Sequence, residues 1–455
     1  MRGRSFWNRL SPPQLFVLSF LVLVLIGTLG FQFLPGLYTG RSLNWLESVF
    51  TATSAVCVTG LIVVDTSEFF SFWGQLYLLL LIQLGGLGMI AFASTIIVAL
   101  GRRISLQQES LTLPVEAVPQ INHRQLIKDV AVFTFTIEGI GAVLLYLSWI
   151  SQLGFVGAIW PAIFHSVSAF CNAGFSTFGN SLMDMQRNPF CIFIISGLII
   201  SGGLGFLTIE EIRQAIRSRS QDVRYRPSLH SRLVIWTTIV LLFGAWPLFT
   251  FLEWNASLKT LPVFDKLTNG FFLSVTARTA GFNSVDYSKT SEPTCFLTIL
   301  LMTIGGSPGS TAGGMKTTTF AMLGLVAWSR MRGLRTTTVW NRSIREETTN
   351  RTIGLVVIAI GVVILASLLL TILEFDPLVR GYFLGHLFEV VSAFNTVGLS
   401  MGITPTDKYR VGSQILLIFL MFVGRVGPLT FASAMAVRYA KSGNFRYAYE
   451  DVTVG

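Results

Sequence analysis

The sequence predicts an all-α integral membrane protein of four M1-P-M2 repeats with pseudo-fourfold symmetry, having eight spanning helices and four short re-entrant ones. Three observations predict it. The chain is apolar, its long and short apolar segments alternate, and one phrase recurs about every 110 residues.

Of the 455 residues, 52% are hydrophobic and only 12% charged, with a mean hydropathy of +0.63. A soluble domain carries about 25% charged residues. Crossing a bilayer takes about 20 apolar residues per helix. Runs of that order lie near 14–34, 72–100, 126–151, 190–212, 232–252, 293–304 continuing through 316–329, 352–373 and 411–437. The sixth is interrupted in its middle by a Gly-rich stretch. Four shorter segments, near 44–57, 160–173, 267–279 and 382–397, each sit between two long ones. They are too short to cross and read as re-entrant, which demands burial in protein or contact with a wet cavity.

Charge orients the chain. Of the 33 Lys and Arg residues, 22 fall on one side: Arg2, Arg4 and Arg9, then Arg102 to Lys128, Arg213 to Arg232, Arg330 to Arg351, and the tail. Eight fall on the other side, and Arg278, Lys316 and Arg425 lie within membrane segments. The positive-inside rule places both termini in the cytoplasm. The net charge of +10 is thus mostly topology. No basic run interleaves with aromatics as nucleic-acid binding requires. Cys57, Cys171, Cys191 and Cys295 lack metal-ligand spacing and are expected to be free thiols. The run from Pro13 to Leu34 is too long for a signal peptide and reads as a retained helix.

The recurring phrase is Thr53-Ser-Ala-Val-Cys-Val-Thr-Gly60, Val167-Ser-Ala-Phe-Cys-Asn-Ala-Gly174, Ser274-Val-Thr-Ala-Arg-Thr-Ala-Gly281 and Val391-Ser-Ala-Phe-Asn-Thr-Val-Gly398. The glycines are 114, 107 and 117 residues apart. One glycine after an apolar helix is ordinarily a C-cap. Four copies in phase with the hydropathy define repeats: 13–100, 124–215, 230–330 and 350–438, with 439–455 as a cytoplasmic tail. Two full spans separate successive phrases, so the repeats are parallel about an axis along the membrane normal.

Four glycine loops then meet on that axis. A dehydrated alkali cation needs oxygen ligands, and rings of backbone carbonyls supply them. Glycine reaches positive φ at no steric cost, so it can aim carbonyls inward. Each short helix points its partly negative C-terminal end at the same place. The filter candidates are Val58, Thr59 and Gly60; Asn172, Ala173 and Gly174; Thr279, Ala280 and Gly281; and Thr396, Val397 and Gly398. The hydroxyls of Thr59, Thr279 and Thr396 and the amides of Asn172 and Asn395 add oxygens or brace the loops. The ion bound there would be an alkali cation, K+ or Na+.

These loops, the M1-P-M2 units and the interrupted sixth span resemble the Trk/Ktr/HKT superfamily of cation transporters over residues 13–440. The phrase Arg278-Thr-Ala-Gly281-Phe and the short ends look most like the KtrB membrane subunits of bacterial Ktr potassium uptake systems. In that family one filter glycine per repeat replaces a longer channel signature, and Thr396-Val397-Gly398 shows the reduced form. Four retained glycines imply potassium preference. The resemblance further implies a homodimer with one pore per protomer, residence in the bacterial cytoplasmic membrane, and a cytosolic KtrA-like nucleotide-binding ring on the basic inner face.

Ile304 to Met315 holds five glycines and one proline inside a membrane helix. Glycine costs about 1 kcal/mol and proline about 3 in a helix interior, so the helix must break. A break at membrane depth lines a wet path. Gly305, Gly306, Ser307, Pro308, Gly309, Ser310, Thr311, Ala312, Gly313 and Gly314 therefore form a candidate gate loop on the inner side of the filter, as the resemblance also implies. It lacks the order of a phosphate-binding loop. Arg425 is expected to act as an electrostatic barrier or to tether the loop through its carbonyls. Lys316 is a second candidate for gate electrostatics, with snorkelling to the cytoplasm as the alternative. Arg278 should pair behind the filter, with Glu47 or Glu389 as candidate partners. For Glu138 an interhelical hydrogen bond is the expected role. The four histidines form no ligand pair, and no nucleophile elbow or dinucleotide fingerprint is present, so no enzyme is predicted. A proton- or sodium-coupled secondary transporter is the alternative, and few intramembrane carboxylates favour it. A membrane-embedded enzyme would need clustered Asp or His, which the chain lacks.

Overall fold

A computed structural model describes residues 11–88, 123–219, 227–334, 336–375, 382–404 and 409–435. The second half of the 72–100 run, Arg2, Arg4, Arg9, the stretch 102–122 and the tail 439–455 lie outside the described residues.

Several helices start where a polar side chain satisfies a free helix N–H, as Asn44, Asn188, Ser228 and Ser291 do. Helix α1 (Pro12–Phe33) begins after Ser11, whose N–H donates to Gln14 Oε1 at 2.9 Å. In α2 (Trp45–Val56) Asn44 and Glu47 cap each other, both at 2.8 Å. A turn α3 (Thr66–Phe69) leads into α4 (Phe72–Gly88). Then follow α5 (His123–Gly157), α6 (Ile159–Phe170), α7 (Pro189–Leu204), α8 (Phe206–Arg219), α9 (Leu229–Glu253) and α10 (Val263–Thr276). The chain continues through α11 (Glu292–Met302), α12 (Thr317–Met331), α13 (Glu346–Leu373), α14 (Phe383–Phe394), α15 (Val411–Val426) and α16 (Pro428–Met435). The only sheet among the described residues is a hairpin, β1 (Thr338–Val339) with β2 (Arg342–Ser343), held to α9 by Arg232 stacking 5.0 Å from the Trp340 ring.

Four helices, over Pro13–Phe33, Lys128–Gly157, Leu229–Glu253 and Glu346–Leu373, are long and apolar enough to cross a membrane; six are if each bent pair counts as one span. Their outward faces are apolar: Leu25, Ile26 and Leu29 on α1 and Ile364, Leu365 and Leu368 on α13 are all exposed. A surface of that kind suits hydrocarbon.

Two further apolar runs are sharply bent. Helices α7 and α8 meet at 102°, and α15 and α16 at 95°. The joints are Gly205 (φ 82°, ψ 142°) and Gly427 (φ 89°, ψ 132°), conformations closed to a helix and open to glycine. The break at 303–316 between α11 and α12 falls where expected.

The short helices α2, α6, α10 and α14 are the most buried elements. Nine of the twelve residues of α2 and ten of the fourteen of α10 are buried. Each leans on a helix from the neighbouring part of the chain: α10 on α7, α14 on α11, α2 on α15. Helix α6 is tied to α4 by Trp160 Nε1 donating to Gln75 Oε1 at 2.6 Å. This cyclic order closes the chain on itself.

Candidate functional site

Beyond each short helix the backbone takes two left-handed steps. They are Val58 (φ 54°) and Gly60 (90°), Asn172 (59°) and Gly174 (71°), Thr279 (63°) and Gly281 (78°), and Thr396 (51°) and Gly398 (91°). The residues between, Thr59, Ala173, Ala280 and Val397, keep negative φ. Alternating the sign of φ turns successive carbonyls to one side, where a strand alternates them. A left-handed non-glycine residue costs about 1–2 kcal/mol, and four at matching positions mark a shared constraint.

The four loops meet. A Cβ built on Gly60 would lie 2.2 Å from the Ala173 carbonyl oxygen, and one on Gly398 2.1 Å from that of Thr59. On Gly281 it would lie 2.5 Å from the Val397 oxygen, and on Gly174 2.8 Å from the Gly281 Cα. The contacts run 60 to 174 to 281 to 398 and back to 60, a closed ring that has no room for a methyl group. Of the candidate filter residues, Thr59, Gly60, Ala173, Gly174, Ala280, Gly281, Val397 and Gly398 make these contacts. All four glycines also line one cavity of about 230 Å³, into which Asp65 and Asp286 project from the surrounding loops.

Sequence reasoning missed the braces of this ring. Ser54 Oγ accepts from the Gly60 N–H at 3.1 Å and donates to the Leu61 carbonyl at 2.7 Å. Ser168 donates to Phe175 at 2.8 Å, Thr276 to Phe282 at 2.7 Å, and Ser392 accepts from Gly398 at 3.1 Å. The signal was present as the serine six residues before the glycine. In the third copy that position is Val275, and Thr276 one residue later supplies the hydroxyl. The hydroxyls of Thr59, Thr279 and Thr396 are buried without a protein partner. Replacing Ser54 and Ser392 by alanine should strand two buried N–H groups at about 1–3 kcal/mol each. The expected result is protein that still assembles in membranes, melts at lower temperature and discriminates cations less well; fluorescence-detected melting and cation flux check it.

The loop 303–316 lies directly against this ring. Ile304 and Met315 pair as its neck. A Cβ on Gly313 would lie 2.0 Å from Thr396 Oγ1, and one on Gly314 2.8 Å from Asn395 Oδ1. Thr311 Oγ1 donates to the Phe170 carbonyl at 3.1 Å, at the end of α6. The Ser307 N–H donates to Gly203 at 2.9 Å and Phe206 N–H to Gly309 at 3.1 Å, fastening the loop to the α7–α8 joint. Arg425, fully buried, donates to the Thr311 carbonyl and, at 3.0 Å, to that of Gly85. It therefore tethers the loop to α4.

Three sequence expectations fail here. Lys316 does not reach for solvent: its Nζ donates to the Ala312 carbonyl at 2.7 Å, because the loop offers an acceptor closer than bulk water. Glu47 pairs with Arg41 at 2.9 Å, and Glu389 accepts from Ser400 and Thr404 at 2.6 Å each. Neither meets Arg278, which is buried and lines a small cavity with Gly203, Thr238 and Gly306. Glu138 makes its interhelical bond, accepting from Gln83 at 3.1 Å.

A second phased signal was also missed. A Cβ on Gly85 would meet the Val56 oxygen at 2.0 Å, on Gly202 the Phe170 oxygen at 1.9 Å, and on Gly424 the Phe394 oxygen at 1.7 Å. These glycines let a long helix touch the carbonyl end of each short helix. They sit in Gly85-Gly-Leu-Gly, Gly202-Gly-Leu-Gly and Gly424-Arg-Val-Gly, with Gly305-Gly306 as the third member. Arg425 occupies the second place of that motif.

Residues 20–447 match the family model described as TrkH, cation transport protein. The chain is 36% identical over 456 residues to the potassium/sodium uptake protein NtpJ of Enterococcus hirae, covering 98% of each. It is 36% identical over 452 residues to the Ktr system potassium uptake protein B of Bacillus subtilis, covering 99% of this chain and 98% of that one. The crystal structure of the potassium transporter TrkH from Vibrio parahaemolyticus superposes with a TM-score of 0.71 at 20% identity, covering 92% of this chain and 83% of that one.

Proposed function

The chain belongs to the TrkH family of cation transport proteins, multi-pass membrane proteins and not enzymes, and on that premise we propose that it conducts potassium into the cell through the ring of four glycine loops. The observation that carries this reading is the closed contact of Gly60, Gly174, Gly281 and Gly398 around one cavity. Carbonyls turned to one side by alternating φ replace the hydration shell of the ion. Asp65 lines the same cavity and raises the local cation concentration at the outer mouth, whereas Asp286 is paired with Lys289 at 3.0 Å. An inside-negative potential contributes about 2.3 kcal/mol per charge per 100 mV.

In this reading the chain is four M1-P-M2 repeats, 13–100, 124–215, 230–330 and 350–438, related by pseudo-fourfold symmetry. They supply eight membrane passages, four pore helices and two cytoplasmic termini. Supporting it are the recurrent short helix, left-handed pair and glycine, and the cyclic packing of each short helix on its neighbour. The loop 303–316 is the gate, since it lies against Thr396 and Asn395 and is fastened at both ends. Opening requires release of the Arg425 and Lys316 bonds to its carbonyls. The similarity to a Ktr system protein supports a homodimer with a KtrA-like nucleotide-binding ring on the inner face, and the similarity to a potassium/sodium uptake protein supports sodium as activator or second cargo.

Rubidium uptake into vesicles holding the purified protein tests the reading. Uptake should follow an imposed inside-negative potential and fall with external potassium at far lower concentration than with sodium. Uptake indifferent to potassium, or dependent on an imposed proton gradient and not on potential, would sink it.

A further inference from the structure

Away from the ring, α4, α5 and α6 leave a groove of about 360 Å³ between them. Its walls are apolar: Leu80, Phe135, Ala142, Ile163 and Val167. Leu80 is 54% exposed and Phe135 58% exposed, so the groove opens on the outward, lipid-suited face. Glu138 lies at its floor and is only 4% exposed. It is the sole ionisable side chain lining the groove. Its Oε2 accepts from Gln83 at 3.1 Å, while the nearest donor to Oε1 is the Cys171 thiol at 3.9 Å, too long for a strong bond. Among the described residues, Oε1 thus has only this weak thiol donor.

A cavity of drug-like size, apolar but for one anchored polar group, is the general form of a small-molecule site. A buried carboxylate selects the ligand. An ionised group in an apolar wall is costly unless a cation pairs with it. Hydrocarbon walls demand that the cation carry an alkyl or aryl body. We propose that this groove binds a lipophilic amine, its ammonium on Glu138 and its chain along Leu80, Phe135 and Ile163. Depth excludes the head group of a phospholipid. Glu138 stands ten residues along the span that begins at Lys128, about 15 Å of helix. A compact or single-chain amine reaches that depth.

Occupancy should be felt at the ring. Gln83 lies two residues before Gly85, whose carbonyl holds Arg425, and Cys171 precedes Asn172. An ammonium taking Glu138 competes with Gln83 for it and shifts the seat of α4 under the gate tether.

Dodecylamine is the probe, and native mass spectrometry of the detergent-purified protein counts the molecules bound, without reference to ion flux. One amine per chain is expected. Glu138→Gln should weaken binding by about tenfold or more. Gly139→Leu keeps the carboxylate and fills the groove. Nothing lies within 4 Å of a Cβ built on Gly139, so a side chain can start into the groove there, and this variant too should lose the amine. Dodecanol should not displace the amine. If Glu138→Gln fails to fold, Gly139→Leu still decides. The proposal is overturned if the wild type binds no amine, if the folded variants bind it equally, or if dodecanol competes as well as dodecylamine. It also falls if Gly139→Leu changes the oligomeric mass while no amine is bound, because a second copy then covers the groove. These outcomes leave the pore reading untouched.

Discussion

Gly281→Ser will cost at least about tenfold in potassium-over-sodium preference, a change of about 1.4 kcal/mol, while the protein still inserts and folds. Gly281 sits at φ 78°, where a side chain is strained by about 1–2 kcal/mol. Its Cβ would stand 2.5 Å from the Val397 carbonyl oxygen. Backbone cannot give way as the tip of a side chain can. The Val397 carbonyl must therefore rotate or the two loops must part. Either change moves an oxygen away from the ion, and the smaller, more strongly hydrated cation gains. Paired rubidium and sodium fluxes in vesicles measure the ratio. Gly361→Ala, at a glycine with open space around it, serves as the control that should leave the ratio alone. An unchanged ratio in Gly281→Ser would remove the ring from the selectivity argument.

Arg425→Gln should act in the opposite sense on rate. The guanidinium ties the Thr311 carbonyl of the loop to the Gly85 carbonyl of α4. Charge-assisted bonds of this kind contribute about 1.5–3 kcal/mol each. Glutamine is shorter and uncharged, and it cannot span both acceptors. The loop loses its tether and the path loses a fixed positive charge. Resting rubidium flux should rise about tenfold or more, since each 1.4 kcal/mol shifts a closed-to-open equilibrium by that factor. Arg425→Lys keeps charge but only one tether, and should fall between. A fall in flux in both variants, with folded protein in the membrane, would assign Arg425 to structure and withdraw it from the gate.

Much of this protein was legible before any fold. Membrane residence follows from the length of the apolar runs, because hydrocarbon leaves a backbone no alternative partner. The proposed four-fold plan rests on a phrase in phase with hydropathy. The candidate filter residues rest on the glycines, because a left-handed position close to another backbone admits almost nothing else. The break at 305–314 follows from helix propensity alone.

What tertiary structure decided has a common cause: it depends on which carbonyl or carboxylate lies near a given donor, and chain spacing does not report that. Lys316 meets Ala312, Glu47 meets Arg41, and Glu389 meets Ser400 and Thr404, all at separations the sequence could pair in several ways. The bends at Gly205 and Gly427 sit inside runs apolar enough to pass straight through, and packing on the gate loop selects the bent form at the first of them. The order of the loops around the ring, and the tether of Arg425 to Gly85 across 340 residues, exist only once the chain has closed on itself.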